Sequence, residues 1–162
     1  MGPVVASSGA RSERGFTLVE IMVVALIIAI LLAVATVSFL GARRVAQDRA
    51  AQTLARVALA SAKTLFQIEE DYTLATVDAL RAAEPGLKFL LEDQASSGPD
   101  EASILPDETT FLAAVLSQTG TCFYIRDEAV PGGGTSFGSK TPTGADPCRA
   151  NAGGAVTFQE RW

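Results

Sequence analysis

Between residues 16 and 40 the chain carries one charged side chain, Glu20, in an otherwise apolar run. At ~1.5 Å per helical residue, about 25 residues reach ~37 Å, more than the ~30 Å hydrocarbon core of a bilayer. The run is therefore long enough to span a membrane as a helix. A carboxylate inside such a segment costs on the order of 2.5 kcal/mol or more unless something compensates it, so an intramembrane Glu demands a partner. The run itself holds no cation for Glu20.

The flanking residues suggest where the cation comes from. Gly15-Phe16-Thr17-Leu18-Val19-Glu20, continued by Ile21-Met22-Val23-Val24, resembles the processing site and first turns of type IV pilins and the related pseudopilins. The resemblance covers about the first quarter of the chain. It implies that a prepilin peptidase cuts between Gly15 and Phe16, and that Phe16 becomes an N-methylated terminus. It also implies that Glu20, four residues beyond, pairs with the terminal amine of a neighbouring subunit. An α-amino group with a pKa of about 7.7 to 8 is largely protonated at neutral pH and can neutralise a carboxylate where water is scarce. A spacing of four residues places Glu20 on the helix face that the terminus occupies. Two other readings are an ordinary signal-anchor, with Glu20 near the headgroups, and a secretory signal peptide. The second needs a shorter apolar core with a small-residue site after it, whereas here the small residue precedes the run. Many pilins carry a glycine within the run and a proline some residues later. Residues 29–37 have neither, so a helix straighter on its own is expected.

No proline interrupts residues 16–70, and from Gly41 onward the run becomes amphipathic. Leu54, Val57, Ala58, Ser61, Leu65 and Ile68 recur at spacings of three and four, with Arg49, Arg56 and Lys63 between them, as on a helix with one apolar stripe. Alanines at 42, 46, 50, 51, 55, 58, 60 and 62 add helix propensity. One continuous helix is expected, the alternative being two helices hinged at Gly41. The organisation is then a cleaved leader (1–15), a transmembrane and filament-core helix (16–40), and one globular domain (41–162) that includes the amphipathic helix 41–70.

Past the helix the pattern changes. Residues 76–84 form a short helix capped by Thr76 and ended by Pro85-Gly86. Four β-like segments follow, 87–91, 101–105, 109–117 and 121–126, with Gln118-Thr119-Gly120 short enough for a hairpin. Residues 96–99 and 131–144, rich in Gly, Ser and Pro, read as loops, and 155–162 as either a strand or a turn of helix. The expected fold is α+β, a long N-terminal helix packed against a small antiparallel sheet.

Cys122 and Cys148 are the only cysteines. An even pair in a non-cytoplasmic domain favours a disulfide over two free thiols, and the resemblance implies the same, since many pilins staple a C-terminal loop. Histidine is absent, which removes the usual general base and the commonest metal ligand, and two cysteines without it make a poor zinc site. No P-loop or dinucleotide fingerprint is present. Gly132-Gly133-Gly134 reads as a flexible loop rather than a phosphate cradle, because no helix start follows it. The acidic pairs Glu69-Glu70-Asp71, Asp100-Glu101 and Asp107-Glu108 read as solvated charges, because they lack EF-hand spacing. The net charge of −5 includes Arg11, Glu13 and Arg14; without the leader it becomes −6, which argues against direct binding of nucleic acid.

These readings converge on a non-enzymatic structural subunit of a type IV pilus without a cofactor or metal. The precursor would be a single-pass protein of the bacterial cytoplasmic membrane, and its partners a prepilin peptidase, an assembly platform and other copies of itself. The product would be a surface filament for adhesion, motility or DNA uptake. The alternatives are a pseudopilin of a type II secretion system and a membrane-anchored envelope domain that does not polymerise.

Overall fold

A computed structural model of the protein describes residues 15–162, which fall into two units divided between Leu40 and Gly41. Apart from Gly15, the expected leader lies outside the described residues. Helix α1, Leu18–Glu69, is the one described helix long and apolar enough to cross a membrane. Its helical assignment continues through Gly41. Glycine weakens a helix by only about 1 kcal/mol relative to alanine, and the alanine-rich neighbours offset that.

Within the second unit α1 buries a seam of Ala51, Leu54, Ala55, Ala58, Leu59 and Ala62. These recur at the three- and four-residue spacings of one helix face. The buried face is rotated from the expected stripe. Ile68 is 72% exposed, while Val57, Ser61 and Leu65 are only half-buried. Four of the six seam residues are alanines, which bring backbone and sheet close together, and alanine does not mark a face in the sequence. After α1 the chain turns at Glu70, whose φ is 58°. A 3-10 turn, Tyr72–Leu74, follows, with the Asp71 carboxylate accepting from Thr73 N–H at 2.7 Å. Helix α2, Val77–Ala83, starts at Thr76, whose hydroxyl accepts from Ala79 N–H, and ends before Pro85.

Five strands follow: β1 (Lys88–Leu90), β2 (Glu101–Pro106), β3 (Thr110–Leu116), β4 (Cys122–Glu128) and β5 (Thr135–Lys140), in the order β1-β2-β3-β4-β5. The fold is α+β, and its sheet is antiparallel except for β1, which runs parallel to β2. The connection from β1 to β2 is held by Ser96. Its N–H donates to Cys148 O at 2.8 Å, and its hydroxyl donates to Glu101 O at 2.8 Å and accepts from Leu116 N–H at 2.9 Å. The β3–β4 hairpin turns at Gln118-Thr119-Gly120, with Gly120 at φ 88°.

The segment 131–144, expected to be loop, contains β5. Gly132 (φ 82°) and Gly134 (φ 155°) form the turn of the β4–β5 hairpin. A Cβ at Gly133 would lie 2.4 Å from Glu128 O. The strand was hidden because it has one large apolar residue, Phe137, and a glycine at its centre. Gly138 is needed there, since a Cβ would fall 2.4 Å from Val156 Cγ1.

The sheet is covered on both faces, and β3 alternates between two cores. Phe111, Ala113 and Val115 join Phe89, Ile104, Phe123 and Ile125 against α1. Leu112 and Ala114 join Tyr124, Cys122, Cys148 and Ala150 on the other face. That second face is covered by the chain after β5, including a 3-10 helix, Ala150–Ala155. Residues 156–162 form neither a strand nor a turn of helix; they make one isolated bridge, Gln159 to Phe137. Trp162 donates its indole N–H to Gly138 O at 2.9 Å and lies 4.7 Å from the Arg56 guanidinium of α1.

Candidate processing and assembly site

Gly15, Phe16 and Thr17 precede α1 without regular structure and are exposed, Phe16 at 77%. The peptide between Gly15 and Phe16 therefore lies on accessible, non-helical backbone two residues before the helix starts. Thr17 begins the helix. Its hydroxyl accepts from Glu20 N–H at 3.2 Å and its carbonyl from Ile21 N–H at 3.3 Å. Thr17 and Glu20 thus have the spacing of a capping box, a sequence signal that the reading above missed. Glu20 falls in the first turn, where the positive end of the helix dipole favours a carboxylate. Among the described residues Glu20 has no ion-pair partner. Large apolar side chains on both sides of it, from Leu18 to Val34 and at Phe39 and Leu40, are half to three-quarters exposed.

In the second unit, Cys122 and Cys148 are bonded, with Cα atoms 5.5 Å apart. Both are buried, Cys122 at the start of β4 and Cys148 in the covering segment, so the bond ties that segment to the sheet. Beside it burial pushes the Tyr124 phenol up to about 12, with Asp146 adding to the effect.

The strongest polar cluster joins α1, the 3-10 turn and the β4–β5 hairpin. Asp127, 4% exposed, accepts from Lys63 Nζ at 2.8 Å and Thr135 Oγ1 at 2.5 Å on one oxygen, and from Tyr72 OH at 2.7 Å on the other. Burial alone would raise this carboxyl, but the hydrogen bonds from Lys63, Thr135 and Tyr72 outweigh it and hold it below the ordinary range. The Tyr72 phenol is pushed up by burial and by the carboxylate it donates to. Every member of the cluster is engaged with another, as a structural lock requires. On β1 and β2, Lys88 and the Ser97 hydroxyl and N–H hold Glu101 down to about 2. Glu101 is therefore not the solvated charge it was expected to be. Gly132-Gly133-Gly134 form a hairpin turn, and Asp71 is a cap.

A cleft of about 470 Å³ opens between α2 and the β1–β2 edge, lined by Thr76, Val77, Leu91, Glu92, Ile104 and Pro106 among others. Among the described residues no three metal-ligating side chains converge.

Residues 10–36 match the family model of the prokaryotic N-terminal methylation motif, the hallmark of type IV prepilin-like proteins. This segment supports a type IV pilin- or pseudopilin-like precursor. The motif implies processing by prepilin peptidase and filament assembly, and with the apolar helix it fits a membrane-anchored precursor. No curated protein and no solved structure matches the chain.

Proposed function

We propose that the protein is a structural subunit of a type IV pilus, cut between Gly15 and Phe16, methylated on the Phe16 amine, and polymerised through residues 16–40. The observation that carries this reading is the pairing of an exposed, irregular Gly15–Phe16 junction with an apolar run, residues 16–40, whose one charge is Glu20, in the first turn of α1 and without an ion-pair partner among the described residues. Cleavage creates a cation one residue ahead of the Thr17 cap. The amine sits at the positive end of a helix dipole, which disfavours it, so a carboxylate from another copy relieves both charges at once. Assembly moves the helix from lipid into contact with other helices. Packing and the Glu20 pairing, rather than hydrophobicity alone, then decide the register. The role is structural rather than catalytic; a chain without histidine, whose buried Asp127 carboxylate is engaged by Lys63, Thr135 and Tyr72, suits it.

Glu20→Ala tests the assignment. The precursor should be trimmed as before, read by the mass of the mature chain, while sheared filaments counted by electron microscopy should nearly disappear. Normal filament yield would overturn the role given to Glu20.

A further inference from the structure

We propose that Arg43, Arg44 and Val45 of one copy dock on Glu69, Glu70 and Ile68 of a second copy. The inference rests on the filament reading and adds to it a contact outside the apolar run. The five ion pairs of the described residues are Lys63–Asp127, Arg81–Asp78, Lys88–Glu101, Arg126–Glu128 and Lys140–Asp146. None uses Arg43, Arg44, Arg49, Glu69 or Glu70, all of which are exposed. The acid nearest the arginines, Asp48, instead accepts from the hydroxyls of Ser117 and Thr119, at 2.7 and 2.5 Å. Among the described residues the basic stretch is therefore left without an ion-pair partner.

The far end of α1 has the opposite defect. Helix C-termini favour cations, yet the last turn of α1 holds no basic residue. Glu69 and Glu70 stand there instead, and Tyr72 N–H donates to Glu108 O at 3.2 Å, which brings the Asp107-Glu108 turn alongside. Each charged pair also adjoins an exposed apolar side chain, Val45 at 49% beside Arg44 and Ile68 at 72% beside Glu69, so each patch combines charge with apolar surface. Residues 44 and 69 are about 37 Å apart along the helix, so the patches cannot meet within one copy. Opposite charge steers them together between copies and fixes register.

A zero-length carbodiimide, which joins an amine to a carboxylate in contact with it, reads the pairing directly on the full chain in cells. With Arg44→Lys, mass spectrometry should find position 44 linked to Glu69, Glu70, Asp107 or Glu108 of another copy. Mixing isotopically light and heavy chains distinguishes this link from one within a copy. Reversal by Arg43→Glu with Arg44→Glu should lower filament yield about tenfold, and adding Glu69→Lys with Glu70→Lys should restore it to within about twofold. Intact Cys122–Cys148 in each variant shows that it folds. Reversal without loss overturns the proposal. So does loss without rescue, which would place the arginines on anionic lipid headgroups instead. The two readings separate cleanly: wild-type cells lacking filaments would overturn the pilus assignment, whereas the cross-link reports the contact in either case.

Discussion

Asp127 shows what one buried carboxylate does for this fold. It accepts three hydrogen bonds, from Lys63, Thr135 and Tyr72, which tie α1, the 3-10 turn and two strands together. Removing one donor leaves part of a buried charge unsatisfied, so Tyr72→Phe should destabilise by about 1–3 kcal/mol, read from denaturant unfolding of the detergent-solubilised full chain. Glu101 gives the pH dependence. Its folded carboxyl titrates at about 2 against an ordinary 4.5. The stabilisation from Lys88 and Ser97 is therefore complete above about 4.5 and is lost as pH falls towards 2. The thermal midpoint should drop through that window, and Glu101→Gln should flatten the drop. An unchanged slope would mean that Glu101 is not held as described.

At the scale of elements, the alanine seam of α1 explains what the sequence did and did not show. The helix itself was legible because nothing broke it over 50 residues, and its amphipathic half because arginines and lysine marked the wet side. The exact face was not legible. Ala51, Ala55, Ala58 and Ala62 are wholly buried, yet alanine also occupies exposed positions such as 50 and 60. Strand β5 was obscured for a related reason, since Gly138 and the serines around it read as loop until Val156 is seen packed on the bare glycine. At the processing site, Gly15, Phe16 and Glu20 could be named from a local motif. The pairing of Thr17 with Glu20 was equally local and was overlooked. Close packing at the seam predicts that Ala58→Leu costs about 1–3 kcal/mol by overpacking, whereas Ala50→Leu, on the exposed face, changes unfolding by under about 0.5 kcal/mol. Equal effects at the two positions would contradict the observed face.

For the globular unit as a whole, the decisive feature is that its sheet has two cores and the chain covers only one of them with an α-helix. The second is covered by residues after β5 with little regular structure, held by partial burial of Val156 and Phe158 and by Cys122–Cys148, while the chain end crosses to the helix-facing core at Trp162. A covering layer with so few backbone ladder bonds depends on the cross-link more than a strand would. Closing a loop of sequence separation 26 removes unfolded-state entropy worth about 3.5 kcal/mol in the chain-entropy model. Cys122→Ser with Cys148→Ser should therefore release the C-terminal layer before the α1 side of the sheet. Limited proteolysis of the full chain should cut first between residues 141 and 160, while Phe89, Ile104 and Phe123 stay protected in the helix-facing core. Simultaneous cleavage in α1 would show that the two cores unfold as one, and that the disulfide stabilises the entire unit rather than its outer layer.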